Sequence, residues 1–308
     1  MVGMDWRAEI EAAGQRVAGH VRQTPVVTLE VPGVGPVEVK LENLQHAGSF
    51  KVRGAFNSLL SGAVPEAGVV AASGGNHGAA VAYAAARLGV PATIYVPEFA
   101  GPAKIGLIRA QGAECVVLTG IYADAAARAQ AHAARTGAMQ IHAYDAAPTV
   151  AGQGSLMREW EAQGLAADTV LIAVGGGGLI AGALGWLGRR RRVVAVEPEL
   201  APTLNRALAE GPQAKVTVGG IAANALGASQ IGGICYGLAK GVVTSVLVEE
   251  AAIEAAQRAL WTGLRQLVEP AGATALAALM SGRYVPEKGE RVAVLVCGAN
   301  VAPDPFGG

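Results

Sequence analysis

The sequence is long enough for one large domain or two of ordinary size, with 308 residues of which 52% are hydrophobic and 16% charged. This composition supplies a well-filled core and argues against a disordered chain. The formal net charge is zero, from 24 basic and 24 acidic side chains, so the charge balance indicates neither a nucleic-acid partner nor an anionic membrane surface.

The amino terminus and the cysteines predict a cytoplasmic protein. The opening segment MVGMDWRAEIEAAGQ carries charges where a secretory signal needs an apolar core. Cys115, Cys235 and Cys297 are odd in number, far apart and lack CxxC spacing. They therefore predict reduced thiols rather than a disulfide framework or a zinc site.

Residues 48–56, GSFKVRGAF, place Lys51 directly after Phe50, where a Gly/Ser loop turns into a helix. One interpretation is a surface lysine on the first turn of an amphipathic helix. The other is an amine held in a pocket to form a covalent imine. The segment alone leaves both interpretations open.

From residue 68 onward, short apolar runs alternate with longer alanine-rich segments. The runs GVVAAS, PATIYV and AECVVLT are each followed by a periodic helical segment that ends at glycine. The alternation resumes with TVLIAV, RVVAVE and VVTSVLV, a long helix over residues 249–267 and a final strand RVAVLV. Apolar strands alternating with helices predict parallel sheets covered on both faces, in two α/β halves that meet near residues 140–150.

Residues 169–188, TVLIAVGGGGLIAGALGWLG, are uncharged over a length sufficient to span a bilayer, and four arginines follow them. The glycine quartet opposes a membrane helix, because each glycine costs a helix about 1 kcal/mol relative to alanine. We therefore predict a buried strand, a glycine turn and a helix that begins near Leu179. The arginines then form a solvated turn before the next strand.

Polar or glycine-rich segments follow three predicted strands, at the edge where parallel sheets bind ligands. SGGNHG at residues 73–78 either caps a helix through Asn76 or presents helix amides to a carboxylate or phosphate. The glycines at 175–178 lack the lysine and spacing of nucleotide-binding loops. They form a plain tight turn or, as we expect from their number, a cradle of backbone amides for one phosphate. CGAN at 297–300 indicates little on its own.

A phosphate cradle, a polar loop and a lysine beside an aromatic residue together indicate pyridoxal 5'-phosphate. Its aldehyde needs an amine, its phosphate needs amides, and its ring needs a flat apolar contact. The segments KLENLQHAGSFKVRGAF, SGGNHG, GGGGL, VEPAGATALAAL and VLVCGAN also occur in the order found in serine/threonine dehydratases. Over nearly its whole length the chain resembles this family of fold-type II (tryptophan synthase β-like) pyridoxal phosphate enzymes.

The resemblance implies an α/β fold of two open, twisted, mostly parallel sheets flanked by helices. The cofactor would lie in the cleft between a large domain, residues 1–45 and 145–308, and a small domain, residues 46–144. We also expect a homodimer.

The resemblance assigns roles to individual residues. Lys51 would carry the cofactor as an imine and would be the catalytic residue. The other implied cofactor contacts are Phe50 against the ring, Asn76 at the 3'-oxygen, Gly175, Gly176, Gly177, Gly178 and Leu179 at the phosphate, Cys297 at the pyridine nitrogen and Glu269 near the ring edge. The implied substrate-carboxylate loop contains Ser73, Asn76 and His77, and Asp145 would make a further polar cofactor contact.

The implied reaction is β-elimination of L-serine, L-threonine or a related β-hydroxy amino acid to a 2-oxo acid and ammonia. The freed amine of Lys51 would remove the α-proton, and the cofactor phosphate, whose second pKa is about 6, would protonate the leaving hydroxyl. Cys297 is a neutral, weak donor and acceptor that cannot anchor a protonated pyridine. This favours prompt elimination over transamination.

Two other functions stay open. A serine racemase needs a second acid on the opposite face of the substrate, where such enzymes have a serine and this chain has Gly74. We expect a lyase, because that donor is missing. A catalytically silent protein that binds pyridoxal phosphate or an amino acid is the second alternative, which the intact Lys51 opposes.

The segment EPELAPT resembles a stretch in which relatives bind a metal through a glutamate, a backbone carbonyl and a third oxygen. Here these groups would be Glu197, Ala201 and Thr203. The hydroxyl of Thr203 favours a monovalent cation such as potassium over a divalent ion. An exposed Glu-Pro turn without a cation is the alternative.

Overall fold

The computed structural model describes residues 3–120 and 122–301, without the side chain of Phe99, and its strands form two sheets. The strands are β1 (Val26–Val31), β2 (Gly35–Leu41), β3 (Val69–Ala72), β4 (Ala92–Pro97), β5 (Glu114–Leu118), β6 (Met139–Gln140), β7 (Thr169–Ala173), β8 (Arg192–Pro198), β9 (Thr244–Val248) and β10 (Val292–Val296). The helices are α1 (Trp6–Val17), α2 (Lys51–Leu60), α3 (Asn76–Leu88), α4 (Pro102–Ala110), α5 (Tyr122–Thr136), α6 (Ala147–Ala162), α7 (Gly178–Leu187), α8 (Thr203–Glu210), α9 (Ala223–Leu226), α10 (Gly233–Ala239), α11 (Glu250–Leu264) and α12 (Pro270–Met280).

The larger sheet has six strands in the order β1-β2-β10-β7-β8-β9, and β1 and β2 pair antiparallel whereas the other neighbours pair parallel. The smaller sheet has four parallel strands in the order β5-β4-β3-β6. This arrangement confirms the predicted fold class of two mostly parallel sheets flanked by helices. The smaller sheet lies between residues 69 and 140, inside the predicted small domain, whose boundaries stay a prediction.

Strand β7 shows why the sequences of the central strands are apolar at successive positions. Val170 and Ile172 point into the core that β7 shares with α1, α6 and α7. Leu171 points to the opposite face, into the core formed with α11 and α12. Because successive side chains of a strand point to opposite faces, a strand covered on both sides must be apolar at every position.

Of two helix predictions, the one after the glycine loop is confirmed and the one over residues 249–267 is wrong at its end. The long apolar run divides at its glycines into β7 and α7, and none of the described helices is long and apolar enough to cross a membrane. The helix predicted over 249–267 ends at Leu264, because Arg265 adopts a left-handed conformation with φ of 56°. The N–H of Arg265 then donates to the carbonyl of Trp261 at 3.0 Å and closes the last turn.

Buried charges anchor α2, the helix that Lys51 begins. Arg53 is 1% exposed and donates to both carboxylate oxygens of Glu42, at 2.7 and 2.8 Å, and to Glu159 at 2.8 Å. Lys40 on β2 donates to the same Glu159 at 2.6 Å. The network therefore ties α2 to β2 and α6, on the side of α2 away from solvent.

We expect Arg53→Ala to lower the free energy of unfolding by about 3–5 kcal/mol, because it leaves the fully buried carboxylate of Glu42 without its basic partner. The matched control is Arg206→Ala, which removes an exposed i,i+4 pair with Glu210 and should cost less than about 1 kcal/mol. Urea unfolding of both variants measures the difference. Equal losses in the two variants would contradict the anchoring role of the buried network.

Candidate active site

Backbone hydrogen bonds attach the residues before α2 to the segment that follows β10. The N–H of Phe50 donates to the carbonyl of Cys297 at 3.2 Å, and the N–H of Ala299 donates to the carbonyl of Gly48 at 2.9 Å. Lys51 therefore begins its helix beside the carboxyl end of a central strand of the larger sheet. This is the edge at which open parallel sheets bind ligands.

The amine of Lys51 lies in a cleft at this edge. Its Nζ donates to the carbonyl of Ala143 at 2.8 Å and lies 5.2 Å from the centroid of the Phe50 ring. Burial disfavours the ammonium form and lowers the pKa of Lys51 from 10.5 to about 8. The interpretation as a surface lysine is therefore wrong.

The glycine loop after β7 presents the first turn of α7 to the same cleft. Gly177 is the N-cap of α7 and has φ of 94°, a left-handed conformation that glycine adopts without strain. In the part of the chain that the structure describes, no side chain caps this helix. Its first amides have no acceptor within the helix and lie at the positive end of the helix dipole, so they can receive an anion.

Packing within the protein also explains glycine in this loop. A Cβ on Gly175 would lie 2.8 Å from Cα of Leu226, and one on Gly178 would lie 2.8 Å from Cα of Tyr144. The close approach expected from the run of glycines is therefore present, but in the structure the approaching atoms belong to the protein itself.

Asn76 is the first residue of α3 and does not cap it, because Gly75 holds the N-cap position. The Nδ2 of Asn76 donates to Glu269 at 2.6 Å, and its Oδ1 accepts from Nδ2 of Asn300 at 2.9 Å. The interpretation of Asn76 as a helix cap is wrong. Burial raises the pKa of Glu269 to about 7, although the bond from Asn76 and the charge of Lys104 favour its ionised form.

Ser73 lies in the loop after β3 and His77 in the first turn of α3, and both side chains are hydrogen-bonded to the backbone. The hydroxyl of Ser73 accepts from the N–H of Gly75 at 3.1 Å. Nε2 of His77 lies 3.0 Å from the carbonyl of Ile141, and since a carbonyl only accepts, the ring donates. Burial lowers the pKa of His77 to about 3, so its ring is neutral at physiological pH. Their role in substrate binding stays a prediction.

Cys297 contributes a neutral thiol. Its Sγ donates to the carbonyl of Ala271 at 3.4 Å. Burial raises the pKa of this thiol far above its ordinary value, so the thiolate does not form at physiological pH.

The structure brings most of the predicted cofactor residues together. One cleft is lined by Phe50, Lys51, Asn76, Gly175, Gly176, Gly177, Gly178, Leu179 and Cys297. Glu269 lies behind Asn76 and lines a neighbouring cavity, which shares Ala225 and Ala271 with the cleft.

Sequence reasoning missed four residues around the cleft. Tyr144 and Leu226 line it, Asn300 bonds to Asn76, and Lys104 lines the neighbouring cavity while only 6% exposed. The position of Tyr144 shortly after β6 was a usable signal, since ligand contacts follow strand ends. Lys104 on α4 gave no such signal, because a helical lysine is ordinarily exposed.

Asp145 caps the amino terminus of α10 beside the cleft. Its carboxylate accepts from the N–H groups of Gly233 at 3.0 Å and Ile234 at 2.9 Å, at the start of α10. The structure therefore gives Asp145 a capping role, and its expected cofactor contact stays a prediction.

Glu197 of the predicted cation site is fully buried at the end of β8, so the interpretation as an exposed turn is wrong. Its carboxylate accepts from the N–H groups of Leu204 at 2.6 Å and Asn205 at 2.8 Å and so caps α8. The hydroxyl of Thr203 donates to the carbonyl of Ala228 at 2.7 Å, and the carbonyl of Ala201 accepts from the N–H of Thr203 at 3.0 Å. These bonds leave the cation an untested prediction.

The groups at the cleft fit pyridoxal 5'-phosphate. The uncapped amides of α7 suit its phosphate, the amine of Lys51 suits its aldehyde, and the thiol of Cys297 suits an unprotonated ring nitrogen. The two N–H groups of Asn76 supply a donor for a ring oxygen, since Glu269 takes one of them.

Comparison with known proteins agrees with this chemistry. A phenylserine dehydratase from Ralstonia pickettii is 39% identical over 92% of this chain and 90% of its own length. An L-threonine ammonia-lyase from Geobacter sulfurreducens is 38% identical over 95% of this chain and 75% of its own length. The crystal structure of a T.th. threonine deaminase superposes with a TM-score of 0.88 at 33% identity, covering 97% of this chain and 99% of that chain.

The family model for pyridoxal-phosphate dependent enzymes matches residues 17–298, which include both sheets and the cleft. This match and the relatives confirm the resemblance found in the sequence motifs. The chain belongs to the family of pyridoxal-phosphate dependent enzymes.

Proposed function

We propose that this protein eliminates water from L-β-hydroxy amino acids and releases a 2-oxo acid and ammonia. The reaction class is that of a pyridoxal-phosphate dependent ammonia-lyase, the class of the dehydratase and ammonia-lyases to which the chain is similar. The observation that carries the proposal is one cleft that contains the amine of Lys51, the amides of the glycine loop and the thiol of Cys297.

The depressed pKa of Lys51 supports its role as general base. Bound pyridoxal 5'-phosphate supplies an electron-withdrawing ring that acidifies the α-proton of an attached amino acid. At a pKa of about 8, a substantial fraction of Lys51 is neutral near physiological pH and can accept that proton. The bond from Nζ to the carbonyl of Ala143 fixes the position of the amine.

Cys297 supports elimination over reactions that need a protonated ring. An acidic side chain at this position would keep a proton on the ring nitrogen, whereas a neutral thiol is a weak donor. The thiol proton is already directed to the carbonyl of Ala271. The limited electron withdrawal that results favours prompt loss of the β-hydroxyl.

Gly74 supports a lyase over a racemase. A Cβ at this position would overlap Cβ of Ala100 and lie 3.2 Å from Cγ1 of Val96, so the loop has no room for a side-chain acid. Racemisation needs such an acid on the face opposite Lys51, and general acid catalysis is worth about 10²–10⁴ in rate.

The substrate range includes serine, threonine and bulkier β-hydroxy amino acids. The cavity beside the cleft shares Ala225 and Ala271 with it and has apolar walls at Ile221 and Pro270. We propose that the substituent on the β-carbon of the substrate lies in this cavity. A single methyl group changes binding by only about 1–3 kcal/mol, so the preferred substrate must be measured.

The first prediction of this proposal is that holoenzyme converts L-threonine to a 2-oxo acid and ammonia in equal amounts. L-Serine and L-threo-phenylserine complete the panel. Lys51→Ala should reduce the rate by about 10²–10⁴-fold or more, because it removes the base. Lys288→Ala, at an exposed lysine outside the cleft, is the matched control and should retain activity.

Two results would contradict the proposal. Faster interconversion of L- and D-serine than pyruvate formation would favour the racemase. A visible cofactor absorption without any 2-oxo acid from the panel would favour the catalytically silent binding protein.

A second prediction concerns pH. Because burial lowers the pKa of Lys51 to about 8, the neutral amine that attacks an aldehyde accumulates as pH rises toward 8. Cofactor uptake by apoprotein should therefore rise about tenfold per pH unit below 8 and level off above it. Stopped-flow absorbance measures the rate, with N-acetyl-lysine as the reference amine. A midpoint at or above 10 would contradict the desolvated amine.

We also propose a monovalent cation such as potassium at Glu197, Ala201 and Thr203. Burial raises the pKa of Glu197 to about 7, although the N–H groups of α8 that donate to its carboxylate favour the ionised form. Within the described ranges, no ion pair joins Glu197 to a basic side chain. A cation would compensate this buried charge.

The predicted homodimer stays a proposal as well.

If a monovalent cation binds at this site, the activity of the wild-type enzyme should fall when potassium is replaced by a tetraalkylammonium ion. Glu197→Gln should remove this dependence, since glutamine still accepts an N–H of α8 but carries no charge. Initial rates at constant ionic strength measure both effects. Equal activity of the wild type in the two salts would remove the cation from the proposal.

A further inference from the structure

Asn300, in the segment that follows β10, is hydrogen-bonded to the side-chain amide of Asn76. Its Nδ2 donates to the carbonyl of Ala47 at 2.8 Å and to Oδ1 of Asn76 at 2.9 Å. An amide nitrogen carries two hydrogens, so these two bonds use both. Asn300 does not line the cleft itself but lines the neighbouring cavity together with Glu269, and its link to the cleft's cofactor groups is the bond to Asn76.

The contact with Ala47 determines which end of each amide faces which neighbour. A backbone carbonyl only accepts, so the Asn300 atom that faces Ala47 must be nitrogen. The same nitrogen faces Asn76, which must therefore present its oxygen there. The NH2 group of Asn76 is then turned toward Oε1 of Glu269, at 2.6 Å, and toward the cleft. Because Glu269 takes one hydrogen, the other is left for an acceptor on a ligand.

Glu269 alone would not impose this orientation. Burial raises its pKa to about 7, so both the ionised and the protonated carboxyl are present near neutral pH. The ionised form accepts from the nitrogen of Asn76, whereas the protonated form can donate to the oxygen. The carbonyl of Ala47 has no such second state, so the bond through Asn300 favours the same orientation of Asn76 in both protonation states of Glu269.

The backbone at Ala47 and Gly48 adopts an unusual conformation where it meets Asn300. Ala47 has φ of 52° and ψ of 20°, a left-handed conformation that is uncommon for a residue with a side chain. Gly48 follows it, and a Cβ there would overlap the side-chain amide of Asn300. The N–H of Ala299 donates to the carbonyl of Gly48 at 2.9 Å and holds the two segments together.

We propose that Asn300 is a positioning residue that fixes the amide of Asn76 so that one N–H is directed at the ring oxygen of the cofactor. The acceptor that fixes Asn300 is the carbonyl of Ala47. This inference rests on the proposed function for the identity of the ligand, and it adds a residue that acts through Asn76 without touching the cofactor.

A double-mutant cycle on cofactor affinity tests the inference. Apoprotein of the wild type, Asn300→Asp, Asn76→Ala and the double variant is titrated with pyridoxal 5'-phosphate, and the visible absorption maximum is recorded. Aspartate has the shape of asparagine but only accepts, so it is repelled by the carbonyl of Ala47 and attracts the nitrogen of Asn76 out of the cleft. Asn300→Asp should raise the Kd about tenfold and shift the absorption maximum. In the Asn76→Ala background the same change should alter the Kd less than about twofold.

Asn300→Ala is measured in both backgrounds as well, and thermal unfolding of each apoprotein checks its folding. It tests the inference without the added charge and should weaken binding in the same direction, by a smaller factor. An equal loss of affinity with and without Asn76 would show a merely structural role and overturn the inference. So would an unchanged Kd and absorption maximum in both Asn300 variants. Failure of the wild type to bind pyridoxal 5'-phosphate would instead overturn the proposed function.

Discussion

The active-site cleft depends on a short antiparallel contact between the residues before Lys51 and the residues after β10. Ser49 and Gly298 form an isolated bridge, and Phe50 donates its N–H to the carbonyl of Cys297. The contact joins segments about four-fifths of the chain apart, from the start of α2 to the end of a central strand of the larger sheet. The contact sets the amine of Lys51 beside the thiol of Cys297 in one cavity and brings Asn300 within hydrogen-bond distance of Asn76.

Burial is the main electrostatic influence on this cleft. It lowers the pKa of Lys51 and His77 and raises that of Glu269 and Cys297, in each case toward the neutral form. A neutral amine suits both covalent attachment of an aldehyde and removal of a proton. Burial thus reduces the charge of the side chains in and around the cleft, and the uncapped amides of α7 are suited to the one strongly anionic part of the cofactor.

The glycine loop shows how one sequence feature meets two requirements. Tyr144 and Leu226 pack so closely on Gly178 and Gly175 that any Cβ there would meet their backbone atoms. The same compact loop leaves the first amides of α7 uncovered. Packing and anion binding thus favour the same residue type, which is why the run of glycines alone did not distinguish them.

The amino-acid sequence by itself determined the alternation of strands and helices, because a strand such as β7 that is covered on both faces must be apolar throughout. It also determined that polar or glycine-rich loops follow β3, β7 and β10, and the motif order indicated the family. The sequence did not determine the helix boundary at Leu264, since nothing in the local pattern requires Arg265 to be left-handed.

Only the tertiary structure decided how those loops meet. The burial of Lys104, the capping role of Glu197 and the bond from Asn300 to Asn76 all join residues from different elements. Periodicity reports which face of an element is apolar, but it carries no information on which distant polar group will satisfy a buried one. That choice depends on the packing of the two sheets and on hydrogen bonds between residues as far apart as Ala47 and Asn300.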